Sequence, residues 1–219
     1  MTNDILYSFR RCPYAIRVRW ALLICEIKVE IREIDLKNKP LDFLNNSKTK
    51  TVPILIKKNC EVIEESLEIM LWALSESNKE NDKLIYFPDN KKEDIFEIIN
   101  ENDNEFKYHL DRFKYATRYQ NINEAFHFTE AIKFIEKWNK LLAENKYFFG
   151  DNPTIADWCI WPFVRQFKIA CDNQKRTNYF ESSIKNWLDS FEKSREFKSL
   201  MYKYELWESY SIKNYFPSN

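Results

Sequence analysis

Over its first 77 residues this chain alternates between strand-like and helix-like patterns; from about residue 91 the helical period alone persists. Residues 4–9 (DILYSF) form a short β-prone run. PYAIRVRWALLICE follows, with Ile16, Trp20, Leu23 and Ile24 at helical spacing and Pro13 at a position where its fixed φ suits the first turn of a helix. KVEIREIDL (28–36) reads as a strand from its β-branched content, and KPLDFLNNS as a short helix. VPILIKKNCEVIEES reads as two strands around a two-residue Lys58-Asn59 turn, and SLEIMLWALSES as a helix with Leu67, Met70, Leu71 and Leu74 on one face. The order β-α-β-α-β-β-α predicts a small α/β domain over residues 1–77.

A polar stretch broken by Pro88 predicts a linker over 78–90, and residues 91–219 are expected to form an all-helical domain. Helices are expected at about 91–118, 122–145, 154–171, 179–193 and 195–206. Thr154 and Asp157 have the spacing of a capping box, and Pro162 is expected to kink the helix they open.

Composition narrows the function. The 34 basic and 34 acidic residues balance, which gives no electrostatic footprint for nucleic acid. No apolar run approaches the roughly 18 residues of a membrane span, and MTNDILYSF lacks the pattern of a secretory signal. Five scattered cysteines argue against a disulfide scaffold and for a reducing, cytoplasmic setting. His109 and His127 form no metal-ligand spacing, so no metal is expected. A single glycine leaves the turns to Asn and Lys.

The residue most suggestive of chemistry is Cys12, in FRRCPYAIRVRWAL. A thiol reacts as the thiolate, and the N-terminus of a helix favours that anion through its unpaired N–H groups and dipole. Cys12 stands just before the helix-opening Pro13, with Arg10, Arg11 and Arg17 nearby. In a Cys-x-x-Cys site a second sulfur resolves a mixed disulfide, but here that place holds Ala15. An outside thiol is therefore required, and glutathione is the abundant candidate. Val52-Pro53 would present a backbone to an extended peptide ligand if the bond were cis, or would simply open a strand. Glu65-Ser66 at a helix start would hold a carboxylate or only cap the helix, and Lys39 would pair with another carboxylate or stay solvated. Cys25, Cys60, Cys159 and Cys171 are expected to be inert packing residues.

FRRCPYAIRVRWAL, IDLKNKP, TVPIL and EESLEIM, in this order, together with the C-terminal YFFGDNPTIADWCIWPFVRQF, resemble the cytosolic glutathione transferases, with the cysteine-type omega-like branch the nearest pattern. The resemblance implies a thioredoxin-like α/β N-terminal domain, an all-α C-terminal domain and a homodimer. It implies that Cys12 forms a mixed disulfide with glutathione and that Tyr14 flanks the thiol. It also sets Lys39 near the glycyl carboxylate, Val52 opposite the cysteinyl backbone, Pro53 at the cis bend, and Glu65 and Ser66 at the γ-glutamyl end. The activity implied is thiol transfer or reduction of a small or apolar co-substrate, in the cytoplasm and without metal. Two other readings stay open: conjugation to electrophiles with Tyr7 or Ser8 activating glutathione, and a catalytically silent binding module. Lys50 and Glu26 stand where the family carries glycines, and Arg165 falls one residue short of a basic position of the omega pattern.

Overall fold

The computed structural model describes residues 3–79, 82–176 and 179–218. The chain divides into two compact units. One runs through Lys83 and takes up the chain again from Ser194; the other is Leu84–Lys193.

In the first unit, β1 (Ile5–Ser8) is buried along its whole length at the middle of a mixed sheet ordered β4-β3-β1-β2-β5. It pairs in parallel with β2 (Val29–Glu33), Ser8 opposite Glu33, and antiparallel with β3 (Ile54–Ile56). β4 (Val62–Ile63) pairs antiparallel with β3, and β5 (Asn214–Phe216) covers the outer edge of β2. Period two along the paired strands sets Ile5, Tyr7, Ile54 and Ile56 on one face, where they form a buried cluster with Ile34, Phe43 and Val52. Phe43 comes from the short helix α2 (Leu41–Asn46).

The connection from β1 to β2 runs through α1 (Pro13–Ile24), which contacts α3 (Ser66–Glu76) and α10 (Arg195–Leu200). Ala15 to Leu22 is buried without a break, Arg17 and Arg19 included, so α1 has no solvent face along that stretch. The β3–β4 hairpin has a three-residue loop, Lys58–Cys60, not the expected two. The Cys60 N–H bonds the Lys57 carbonyl at 2.8 Å, and Cys60 itself is left-handed (φ 68°) and exposed, not packed.

The second unit starts inside α4 (Asp82–Tyr86). A helical run follows from α5 (Lys92–Asn100) through a π-helical segment, Glu101–Phe106, into α6 (Lys107–Lys114). α7 (Glu124–Glu144), α8 (Ile155–Asn173) and α9 (Ser182–Glu192) complete it. Its core is aromatic: Phe106 packs on Trp138 and Phe167, and Trp161 stacks on Phe191. The expected capping box forms, and its Asp157 is fully buried. That carboxylate accepts hydrogen bonds from Thr154 N (2.8 Å), Thr154 Oγ1 (3.0 Å), Phe148 N (3.1 Å) and Trp187 Nε1 (2.9 Å).

The expected boundaries differ from this division. Among the described residues, helix persists past residue 193 only as α10, and the chain from Ser194 lies with the α/β unit, where it supplies β5. A three-residue strand is too short to declare a period in the sequence. Among the described residues, no helix is long and apolar enough to cross a membrane.

With one glycine available, the left-handed backbone positions fall to other residues. Gly150 takes φ 136°, and a Cβ there would meet nothing within 4 Å, so conformation and not crowding demands glycine. Glu26 (φ 57°) and Lys175 (φ 55°) end α1 and α8 at the position glycine usually fills. After α1, Ile27 N bonds Leu22 O at 2.9 Å and Glu26 N bonds Leu23 O at 3.2 Å. After α8, Arg176 N bonds Cys171 O at 2.9 Å and Lys175 N bonds Asp172 O at 3.0 Å. Glu26→Gly and Lys175→Gly should each stabilise the protein by about 0.5–1 kcal/mol, because relief of left-handed strain outweighs the added freedom of the unfolded chain. Urea denaturation midpoints read this directly.

His109 on α6 and His127 on α7 meet Nδ1 to Nδ1 at 2.9 Å. One ring must donate and the other accept, so the two cannot both be protonated while the contact lasts. Burial first, then for His109 the neighbouring His127, and for both rings Arg112, lowers their pKa values; Glu130, and Glu105 for His109, pull the other way. Folded values below the unfolded value of about 6.5 mean that the unfolded chain binds protons first. Stability should therefore be level above about pH 7 and fall as pH drops through 6.5, with a shallower slope in His109→Phe. Urea titrations across that range measure it.

Candidate functional site

The site starts where β1 gives way to α1. The Cys12 N–H bonds the Phe9 carbonyl at 3.0 Å, closing a tight turn, and the Cys12 carbonyl accepts the first helical bond, from Ile16 N at 2.8 Å. Cys12 is thus the N-cap of α1, with extended backbone (φ −73°, ψ 123°) and Pro13 following at the first helical position. Its side chain is half-buried against the Tyr7–Phe43–Val52 cluster, and Sγ donates to the Val52 carbonyl at 3.6 Å. The Val52-Pro53 bond is cis, as the alignment of a peptide ligand on Val52 would require. The structure therefore brings Cys12, Val52 and Pro53 together from segments 40 residues apart in the chain.

Glu65 is the N-cap of α3 and Ser66 its first residue, and neither caps the helix with its side chain. Ser66 is buried and instead accepts from Arg17, Nε at 3.0 Å and Nη2 at 2.6 Å. The Arg17 guanidinium carbon lies 4.8 Å from the centre of the half-buried Tyr14 ring. Tyr14, Arg17 and Ser66 thus form one contact chain from the first turn of α1 to the first turn of α3. Arg17, one of the three arginines near Cys12 in the sequence, is 2 % exposed.

Lys39 Nζ donates to the Lys50 carbonyl at 2.8 Å, in the loop that leads to Val52. That loop is tied further by Lys50 N to Ser47 Oγ (2.8 Å) and Lys48 N to Glu64 Oε1 (2.6 Å). Lys50 is left-handed (φ 54°), so the geometry of a glycine survives its replacement by lysine.

Tyr7 and Ser8 are fully buried. The Tyr7 hydroxyl accepts from Arg32 Nη1 at 2.6 Å, and burial pushes its pKa up, so neither side chain presents an open hydroxyl. Arg165 pairs with Glu192 at 2.9 Å inside the second unit. A cavity of about 280 Å³ opens among Tyr7, Glu30, Arg32, Asp42 and Lys213, and no residue of the Cys12 group lines it. Among the described residues, no cluster of three metal-ligating side chains occurs.

Two charged residues at this junction were missed from the sequence. Arg19 (0 % exposed) donates Nη2 to the Arg10 carbonyl at 2.6 Å, and Glu33 (7 %) accepts from Arg10 N at 2.6 Å. The signal that finds Arg19 is the unbroken apolar company of Ile16, Val18, Trp20, Ala21 and Leu22: a helix apolar on every side leaves an arginine among them no route to solvent.

Comparison with known proteins points to one family. Residues 6–81 match the family model for the glutathione S-transferase N-terminal domain, and residues 109–192 the one for the glutathione S-transferase C-terminal domain. Glutathione S-transferase omega-1 of Rattus norvegicus is 29% identical over 74% of this chain and 66% of its own length. Glutathione S-transferase omega-2 of the same species is 40% identical over 28% of this chain and 25% of its own length. The chain thus matches less than two thirds of either relative. The solved structure of glutathione transferase Omega 3C from Trametes versicolor superposes with a TM-score of 0.77, covering 94% of this chain and 92% of that one at 16% identity, a likeness of fold.

Ser66→Ala removes the oxygen that two Arg17 N–H groups bond. The loss should be about 1.5–3 kcal/mol, the usual range for a hydrogen bond to a charged group. A lowered urea midpoint at unchanged slope checks it.

Proposed function

We propose that this chain, which belongs to the cytosolic glutathione transferase superfamily in its omega-like branch, is a glutathione-dependent thiol transferase or reductase with Cys12 as its catalytic residue. One observation carries the reading: the half-buried Cys12 thiol sits at the head of α1, 3.6 Å from the Val52 carbonyl and beside the cis Val52-Pro53 bond, with alanine at position 15. The burial of Tyr7 and Ser8 counts against glutathione activation by either hydroxyl, which favours the cysteine over a conjugating mechanism.

In this reading the Cys12 thiolate attacks the glutathionyl sulfur of a mixed disulfide. An S–S bond forms between Cys12 and glutathione as the substrate's S–S bond breaks, and the substrate leaves as its thiolate, which takes a proton. A second glutathione thiolate then attacks the glutathionyl sulfur, releasing glutathione disulfide and restoring the Cys12 thiolate. The net exchange consumes one mixed disulfide and one glutathione and yields one thiol and one glutathione disulfide. The helix N-terminus favours the anion at both ends of the cycle.

Backbone pairing at Val52 would align the cysteinyl part of the tripeptide, with Pro53 fixing that bend. Glu65, Ser66 and the N-terminus of α3 would take the γ-glutamyl end, Lys39 the glycyl carboxylate, and Tyr14 would flank the thiol. The co-substrate is a small or apolar disulfide or oxidant, and the working form a cytoplasmic homodimer.

Cys12→Ser should abolish thiol-transfer turnover, a loss of at least about a thousandfold, while glutathione affinity stays within about threefold, because a nucleophile is lost and no binding group is. Turnover with a mixed-disulfide substrate, together with calorimetric titration of glutathione, measures both. Turnover retained in Cys12→Ser would overturn the assignment.

A further inference from the structure

Arg10 lies two residues before Cys12, and buried charges hold both of its main-chain polar groups. Its N–H donates to Glu33 Oε1 and its carbonyl accepts from Arg19 Nη2, each at 2.6 Å. Arg19 also donates Nε to the Ala15 carbonyl at 3.3 Å, so its planar fork spans the turn from Arg10 to the first turn of α1. Glu33 is fixed in turn: it ends β2 opposite Ser8, and its own carbonyl accepts from Trp207 N at 2.7 Å. Trp207 packs against the same apolar cluster as Cys12. The C-terminal segment thus pins the residue that pins the loop carrying Cys12.

Folding alone does not call for this arrangement. A buried pair of opposite charges loses much hydration, and apolar packing of similar volume serves stability as well or better. Ser8 Oγ, Arg19 Nη1 and Glu33 Oε2 are moreover buried without a hydrogen-bond partner among the described residues, so the cluster is not optimised for stability. What charges supply and apolar side chains do not is a fixed main chain together with a field. The charged and titratable groups facing Arg19 are Glu33 from β2, Cys12 and Arg10 from the junction, and Tyr204 from the C-terminal segment. Burial lowers the Arg19 pKa to about 10, and it remains a cation at neutral pH.

We propose that Arg19 and Glu33 are positioning residues for Cys12: together they clamp the Arg10 main chain so that the thiol stays at the head of α1, and their opposite charges set how readily it ionises. Arg19 favours the thiolate and Glu33 disfavours it. The inference rests on Cys12 being the working thiol, and its test is independent of turnover.

The test is the pH dependence of Cys12 alkylation by iodoacetamide, followed by peptide mapping on the full chain. Arg19→Gln should move the ionisation midpoint up, slowing alkylation near neutral pH about tenfold, the change that one pKa unit makes. Glu33→Gln keeps an oxygen for Arg10 N but loses the charge, and should move the midpoint down. Arg19→Lys should restore most of the wild-type midpoint. General loosening of the fold would move both glutamine variants the same way, and such a result, or no movement in either, overturns the proposal. Should Arg19→Gln fail to fold, the isosteric Glu33→Gln decides alone: a lowered midpoint supports the clamp and an unchanged or raised one overturns it. Turnover surviving in Cys12→Ser would sink the thiol-transfer reading and leave these midpoints still informative about the clamp.

Discussion

The main chain must pass from the central strand to the first helix in the four residues Phe9–Cys12, with no glycine to ease the turn. Everything around Cys12 follows from how that passage is held. A backbone bond from Cys12 N to Phe9 O closes it, and the next main-chain donor and acceptor, both on Arg10, find charged partners from β2 and from within α1. Buried backbone groups have to be paired, and here the pairing reaches through Glu33 to the C-terminal segment and through Arg19 into the body of α1. The same helix carries Arg17 to Ser66, so one element, buried from Ala15 to Leu22, links the thiol's turn to the head of α3.

The lack of glycine sets a second constraint, spread over both units. Among the described residues, Glu26, Lys50, Cys60, Asn121 and Lys175 hold left-handed backbone. At roughly 1–2 kcal/mol each for residues other than asparagine, the sum is a sizeable part of an ordinary folding free energy. Neighbouring side chains offset it where the conformation matters. Lys79 bonds both the Ile24 carbonyl and Glu26 at the end of α1, and Lys39 bonds the Lys50 carbonyl before Val52. Arg176, just past Lys175, stacks over Phe128 at 4.3 Å. The turns of the fold are kept by geometry even where composition has removed the residue that makes them easy.

Patterning in the sequence was enough to read the α/β unit, the helical unit, the capping box and the junction of strand, cysteine, proline and helix. Each of these is local or periodic. What escaped is non-local or too short to be periodic: β5 is three residues, the pairing of Ser66 with Arg17 spans 49 positions, and the clamp joins residues 10, 19 and 33. The burial of Arg17 and Arg19 is hidden in particular, because arginine in a helical pattern ordinarily marks the solvent side. Only the apolar residues filling the rest of that turn deny it one. The left-handed positions were hidden for the opposite reason: their usual marker, glycine, stands at none of those five.

Five thiols in one chain are told apart by environment and not by residue type. Cys25 and Cys171 are buried, and desolvation pushes both thiols up to about 12, out of reach of ionisation at neutral pH. Cys159 is fully buried within α8. Cys60 is exposed but stands in a hairpin loop with no helix terminus behind it. Cys12 alone is both reachable and set at a helix head, where backbone N–H groups stabilise an anion. Since Ala15 occupies the place of a resolving sulfur on the adjoining turn, a disulfide made at Cys12 has no partner within its own helix turn to break it. The thiol-transfer cycle proposed for Cys12 would therefore take its second sulfur from a separate molecule, because the alanine leaves none on the adjoining turn.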